Sequence, residues 1–276
     1  MLIEDFQDYF NASANYKNRT NGLDNPESCV KGRDWWYDYP VQDFDYKYNS
    51  WGFRGPEYSV FVGSPVNICL GDSFTVNLGG PVEHSWCSIL SKNFDIPTLN
   101  LGMDGAGNDA IKLVYDRACE IFDVQNTFVM YSYFHRRIKN NTFNAEELNL
   151  DSNIDYFNSN IITGAHYTFL PVWNWTNDEL EYIHSNHKNN FYDLLCLDLE
   201  MVYQKIDKTF YNSISGEDWV SWEDYVTTGK ANEVMQSDEL YNQILSYPYV
   251  NRDGHHCNQI TNQFIADFLW SQYNAT

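Results

Sequence analysis

Apolar positions are scattered with little periodicity over residues 1–64, where `GRDWWYDYP` and `DFDYKYNSWGFRGPEYS` read as short extended pieces joined by turns. This stretch is expected to be an N-terminal extension or cover preceding a domain over 65–276. From residue 66 the pattern becomes regular. `VNICL` is an apolar run ending at Gly71, the mark of a buried strand. `VEHSWCSIL` places Val82, Trp86, Ile89 and Leu90 at helical spacing behind Pro81. `PTLNLG` reads as a second strand. `NDAIKLVYDRACEIF` puts Ile111, Val114, Tyr115, Ala118, Ile121 and Phe122 on one helical face. `TFVMYSYF`, dense in β-branched and aromatic residues, reads as a third strand.

Strand–helix alternation on this scale requires crossover connections, so the fold class is α/β, with a parallel sheet buried on both faces. Beyond residue 138, `HYTFLPVW` is a further strand candidate and `FYDLLCLDLEMVYQKIDKTF` a long helix candidate, followed by a polar, tryptophan-bearing stretch over 211–250. The last helix, `NQITNQFIADFLWSQ`, carries Ile260, Phe264, Ile265, Phe268 and Leu269 at helical spacing.

The charge balance narrows the function. Seventeen basic against 38 acidic residues give a net charge of −21, which argues against nucleic acid as a partner, because too few cations are present to displace counterions from phosphates. The six cysteines include no Cys-x-x-Cys pair, and several lie in apolar runs as buried thiols. `MLIEDFQDYF` lacks the basic and apolar regions of a signal peptide, and no run approaches the ~18 apolar residues of a membrane span, so the expectation is a soluble, by default cytoplasmic chain with no membrane partner.

Ligands of open parallel sheets bind beyond the carboxyl ends of the strands, which selects the loops 71–80, 102–108 and 131–137. Ser73 stands in the first, directly after a buried strand, and is either a nucleophile or a helix-cap serine. Near the other end, `VNRDGHHCNQI` holds Asp253 and His256 three residues apart before the last helix. His256 would serve Ser73 as general base and Asp253 would fix the imidazole, since a hydroxyl is a weak nucleophile without such help. The adjacent His255 is the competing base. Asp253, His255, His256 and His135 lack the spacing of a metal site, so neither metal nor cofactor is expected. His184 and His187 fall at i, i+3 on a candidate helix but lie in a polar stretch and read as solvated.

Gly71-Asp72-Ser73-Phe74-Thr75 after the first strand, together with Asp253-Gly254-His255-His256 before the last helix, resembles the SGNH (GDSL-type) hydrolase superfamily, and `NSWGFRGPEYS` looks like the lead-in of some bacterial and phage-type members. The resemblance implies a three-layer αβα sandwich with a flavodoxin-like sheet of about five strands and no cofactor. It implies an oxyanion hole made by the backbone N–H groups of Ser73 and of Gly105 in `LNLGMDGAGND`. It also exposes a departure: where the family has Gly-x-Asn-Asp after the third strand, this chain reads Ser132-Tyr133-Phe134-His135-Arg136-Arg137. Asn108 is the candidate replacement donor and equally a candidate helix N-cap. Ser132 and His135 are weaker candidates, and Arg136 and Arg137 are either a clamp for a substrate carboxylate or members of internal ion pairs.

The function expected from this resemblance is a serine esterase acting on a carbohydrate or small-molecule ester of acetyl or another short acyl group. An acyltransferase with the same triad, or a catalytically weakened binding or structural protein, are the alternatives.

Overall fold

A computed structural model describes residues 46–139, 142–145, 149–170, 175–190, 256–257 and 259–275. The long helix candidate near 191–210, the 211–250 stretch and residues 1–45 lie outside them.

Among these residues four parallel strands, β1 (Pro65–Leu70), β2 (Thr98–Asn100), β3 (Asp123–Tyr131) and β6 (His166–Phe169), form one sheet in the order β2-β1-β3-β6. A separate antiparallel hairpin pairs β4 (Arg136–Lys139) with β5 (Thr142–Ala145). The helices are α1 (Ser73–Val76), α2 (Trp86–Ser91), α3 (Asn108–Ile121), α4 (Leu150–Ser159), α5 (Asn177–Asn186) and α6 (Gln259–Ala275).

The strand order fixes the layering. The β1-to-β2 connection runs one way along the sheet and the β2-to-β3 connection passes back over β1. With right-handed crossovers, α2 and α3 therefore cover opposite faces. The packing agrees: α6 lies against α2 and β6, while α3 lies against β1 and β3. Every β1 residue after Pro65 is buried, as a strand covered on both sides requires. The sheet has four described strands where about five were expected.

Residues 46–64 are built into this domain. Trp51, Phe53 and Tyr58 sit in the same core as Ile68, Leu70 and Phe128. The Tyr58 hydroxyl also accepts from Asn100 N–H and donates to Asn100 C=O, both at 3.1 Å, covering the free edge of β2.

Several boundaries differ from those the sequence suggests. The expected helix over 82–90 is broken at Ser85, whose hydroxyl caps α2 by accepting from Ser88 N–H, with a 3-10 turn at Val82–His84 before it. β3 starts earlier than expected and ends at Tyr131, so Ser132–Phe134 belong to a turn. In α6, Ile265 and Leu269 face the core, but Phe264 is exposed while Thr261 and Asn262 are buried.

Candidate active site

β1 ends at Gly71 and the chain turns at once into α1, whose first residue is Ser73. Asp72 is the N-cap: its Oδ1 accepts from Phe74 N–H at 3.1 Å. A four-residue helix has too few internal hydrogen bonds to hold itself. Its position is fixed from outside, by side chains that take up its last carbonyls. The buried Asn100, at the end of β2, donates to Thr75 C=O at 2.7 Å, and the buried Arg54 donates to the carbonyls of Val76, Asn77 and Gly80. The helix ends at Asn77 with φ 61°, a left-handed conformation that asparagine tolerates better than most residues. Asn77 in turn donates to Pro81 C=O at 2.6 Å and accepts from Asn262 of α6 at 2.9 Å.

That last bond joins the two ends of the chain. Asn262 also donates to Cys257 C=O at 3.1 Å, so one buried amide ties the start of α6 both to the end of α1 and to the residue following His256. Here His256 Nε2 lies 2.8 Å from Ser73 Oγ, with both residues buried and the imidazole packed on the Phe74 ring at a centroid distance of 4.6 Å. Of the two adjacent histidines, His256 is the one seen on Ser73. Asp253 and His255 lie outside the described residues.

The second loop runs beside the first, with Leu101 N–H bonded to Cys69 C=O and Met103 N–H to Gly71 C=O, at 2.8 and 3.0 Å. Gly105 adopts φ 72°, open to glycine at little cost. Among the described residues, neither the Ser73 nor the Gly105 N–H has an acceptor.

Asn108 is the first residue of α3 and not its cap, which is Gly107. Its amide clamps the end of β3: Oδ1 accepts from Ser132 N–H at 2.9 Å and Nδ2 donates to Ser132 C=O at 2.9 Å. These bonds commit Asn108 to holding the third loop.

The third loop meets the first at Asp72. Asp72 Oδ2 accepts from Ser132 Oγ at 2.9 Å and from Arg136 at 2.7 Å. Burial raises the Asp72 pKa above the ordinary carboxylate value; Arg136, Phe74 N–H, the Ser132 hydroxyl and the charge of His256 oppose that rise, in that order. Arg136 thus forms an internal ion pair, with its guanidinium over the Tyr133 ring. Arg137 donates to Asn153 Oδ1 at 2.9 Å and stacks on Tyr156. His135 stacks on Tyr133, and burial lowers its pKa.

His187 departs from expectation. It caps α5, bonds the Tyr167 hydroxyl at 2.9 Å and packs on Phe169, and burial lowers its pKa; it is not a solvated residue.

The residues that sequence reasoning missed are Arg54, Asn100 and Asn262, together with the role of Asp72. Asn100, between Leu99 and Leu101, and Arg54, a cation in the aromatic stretch `WGFRG`, carried a signal as polar residues in apolar surroundings; Asn262, flanked by Thr261 and Gln263, carried none.

Among the described residues there is no cluster of three or more metal-ligating side chains, and no helix is long and apolar enough to cross a membrane.

No protein-family model and no curated relative matches the chain. Solved structures similar to it include a G-D-S-L-family lipolytic protein from Desulfitobacterium hafniense, at 19% identity and TM-score 0.34, covering 60% of this chain and 96% of that one. The psychrotrophic esterase EstA from Pseudoalteromonas sp., solved with monoethylphosphonate as inhibitor, is 11% identical at TM-score 0.36, covering 76% and 97% of the two chains. A lipolytic G-D-S-L-family member from Veillonella parvula is 11% identical at TM-score 0.35, covering 77% and 100%.

Proposed function

We propose that the protein is a serine ester hydrolase with Ser73 as nucleophile and His256 as general base. The observation that carries this reading is the 2.8 Å contact between His256 Nε2 and Ser73 Oγ, made by residues 183 positions apart in the chain. A turn serine needs no histidine, whereas a nucleophilic hydroxyl does.

In the proposed reaction Ser73 Oγ attacks the ester carbonyl carbon as its proton passes to His256 Nε2. The oxyanion of the tetrahedral intermediate is met by the N–H groups of Ser73 and Gly105, which suit the role because both lack acceptors among the described residues. Collapse expels the alkoxide, which takes the proton from His256 and leaves an acyl-enzyme. Water then repeats the sequence, releasing the acid and restoring the serine. Asp253 is assigned to orient His256, on the strength of its spacing in the sequence. Asn108 drops out of the donor set because its amide serves the third loop.

The substrate class proposed is a short-acyl ester, on a carbohydrate or a small alcohol. The test is hydrolysis of p-nitrophenyl acetate, p-nitrophenyl butyrate and acetylated xylan by wild type and Ser73→Ala. Turnover by the wild type that falls at least about 10³-fold in the variant supports the reading. Equal rates on all three substrates, in folded protein, refute it.

A further inference from the structure

The departure after β3 has a counterpart in the structure. In place of an amide donor, the third loop sends two side chains, Ser132 and Arg136, to Asp72, the residue that precedes the nucleophile and caps its helix. All three groups on this carboxyl are donors: Phe74 N–H to Oδ1, and the Ser132 hydroxyl and Arg136 guanidinium to Oδ2. Three donors, one of them a cation, favour the carboxylate over the acid and oppose the effect of burial. A buried carboxylate without its cation would be strongly disfavoured. Asp72 is fully buried, while the Arg136 side chain is a quarter exposed, so the cation reaches inward from a partly exposed position.

We propose that Arg136 is a positioning residue of the active site: it holds Asp72 as a carboxylate and thereby keeps α1 capped and Ser73 in register with His256. This rests on the hydrolase reading above, and it is distinct from a role in gripping a substrate anion. The charged or titratable groups facing Asp72 are Arg136 from the start of β4 and His256 from the segment before α6; Ser132 supplies only a neutral hydroxyl. Gly107 is part of the same device. A Cβ at that position would lie 2.6 Å from the Arg136 carbonyl oxygen, so the second loop must offer glycine for the third to pass this close.

The experiment is a double-mutant cycle of Arg136→Gln and Asp72→Asn, with Arg136→Lys as the conservative variant, read by ester kinetics across pH and by thermal melting. Arg136→Gln is expected to lower kcat about tenfold or more with KM within about twofold, since the interaction acts through the nucleophile and not on the substrate. Its kcat/KM should fall off at a higher pH on the acid side, because Asp72 takes up a proton sooner without its cation. On the Asp72→Asn background the same change should cost less than about twofold, and Arg136→Lys should recover part of the loss. A rise in KM with kcat intact, or an equal loss on both backgrounds, overturns the proposal and makes Arg136 a substrate contact. Melting separates the two readings. If the wild type shows no Ser73-dependent turnover, the hydrolase reading fails on its own. The coupling of the two substitutions in melting temperature then decides whether Arg136 holds the Asp72 charge: coupling supports that role, additivity overturns it.

Discussion

Ser73, Asp72 and His256 divide the work at the scale of single residues. Ser73 is the first residue of α1, and His256 meets it from the far end of the chain at 2.8 Å. His256→Ala should therefore cost nearly as much activity as Ser73→Ala, and combining the two should cost little more, because they act as a unit. If His255→Ala abolished turnover and His256→Ala did not, the assignment of the base would be wrong. Asp72 contributes to stability with a definite sign. Burial raises its folded pKa above the ordinary value. The stability it contributes is therefore fully present below the unfolded-state pKa and is lost as pH rises through the folded one. Melting scans from the ordinary carboxylate range upward should show wild type losing stability relative to Asp72→Asn as pH rises, superimposed on the constant offset that the lost ion pair imposes between the two. An unchanging difference would contradict the assigned direction.

At the scale of elements, α1 is too short to be stable alone, and its neighbours supply what it lacks. Asn262 is the most economical of these supports, since one side chain reaches both Asn77 and Cys257. Asn262→Leu removes both bonds and leaves buried acceptors unsatisfied, so it should destabilise the fold by about 2–4 kcal/mol by denaturant titration, at roughly 1–2 kcal/mol per lost bond, and should weaken activity in the protein that remains folded. Gly107→Ala should lower kcat with little change in melting temperature if the third loop shifts as a unit; a large loss of stability with normal kcat would place Gly107 in the fold and not in the site. The sequence was informative here where periodicity was strong. The amphipathic α3, the buried β1 and the position of β6 were all legible. The break at Ser85 was not, because a cap interrupts the apolar spacing without altering it. α4 escaped notice and α5, with its Thr176–Glu179 capping box, was legible only as a helix possibility around His184; both lie in polar stretches whose stability comes from caps and packing more than from an apolar stripe. Polar residues inside α6 were also misjudged. Its buried face includes Thr261 and Asn262, chosen for hydrogen bonds that no hydrophobic pattern can register.

At the scale of the molecule, the sheet order β2-β1-β3-β6 gathers the loops after β1, β2 and β3 at one edge, and these are the loops that the alternation of elements had selected. The meeting of Ser73 with His256 was legible as two short motifs at opposite ends of an α/β chain. What joins them was not, because it depends on Arg54, Asn100 and Asn262, whose partners in α1 and just after it lie 22 to 185 residues away. Contacts of that range follow from the fold and leave no local trace. The third loop shows the same limit from the other side: an internal ion pair was one of the two readings of Arg136, but that its partner is Asp72 was not legible. The central claim is that His256 activates Ser73. It is tested most directly by following covalent labelling with a serine-directed phosphonate by intact mass and peptide mapping, for wild type, Ser73→Ala and His256→Ala. The account predicts a single adduct on Ser73 of the wild type, none on Ser73→Ala, and labelling slowed by at least about 10²-fold in His256→Ala. Labelling of Ser73 at the same rate with and without His256, or none in folded wild type, would contradict it.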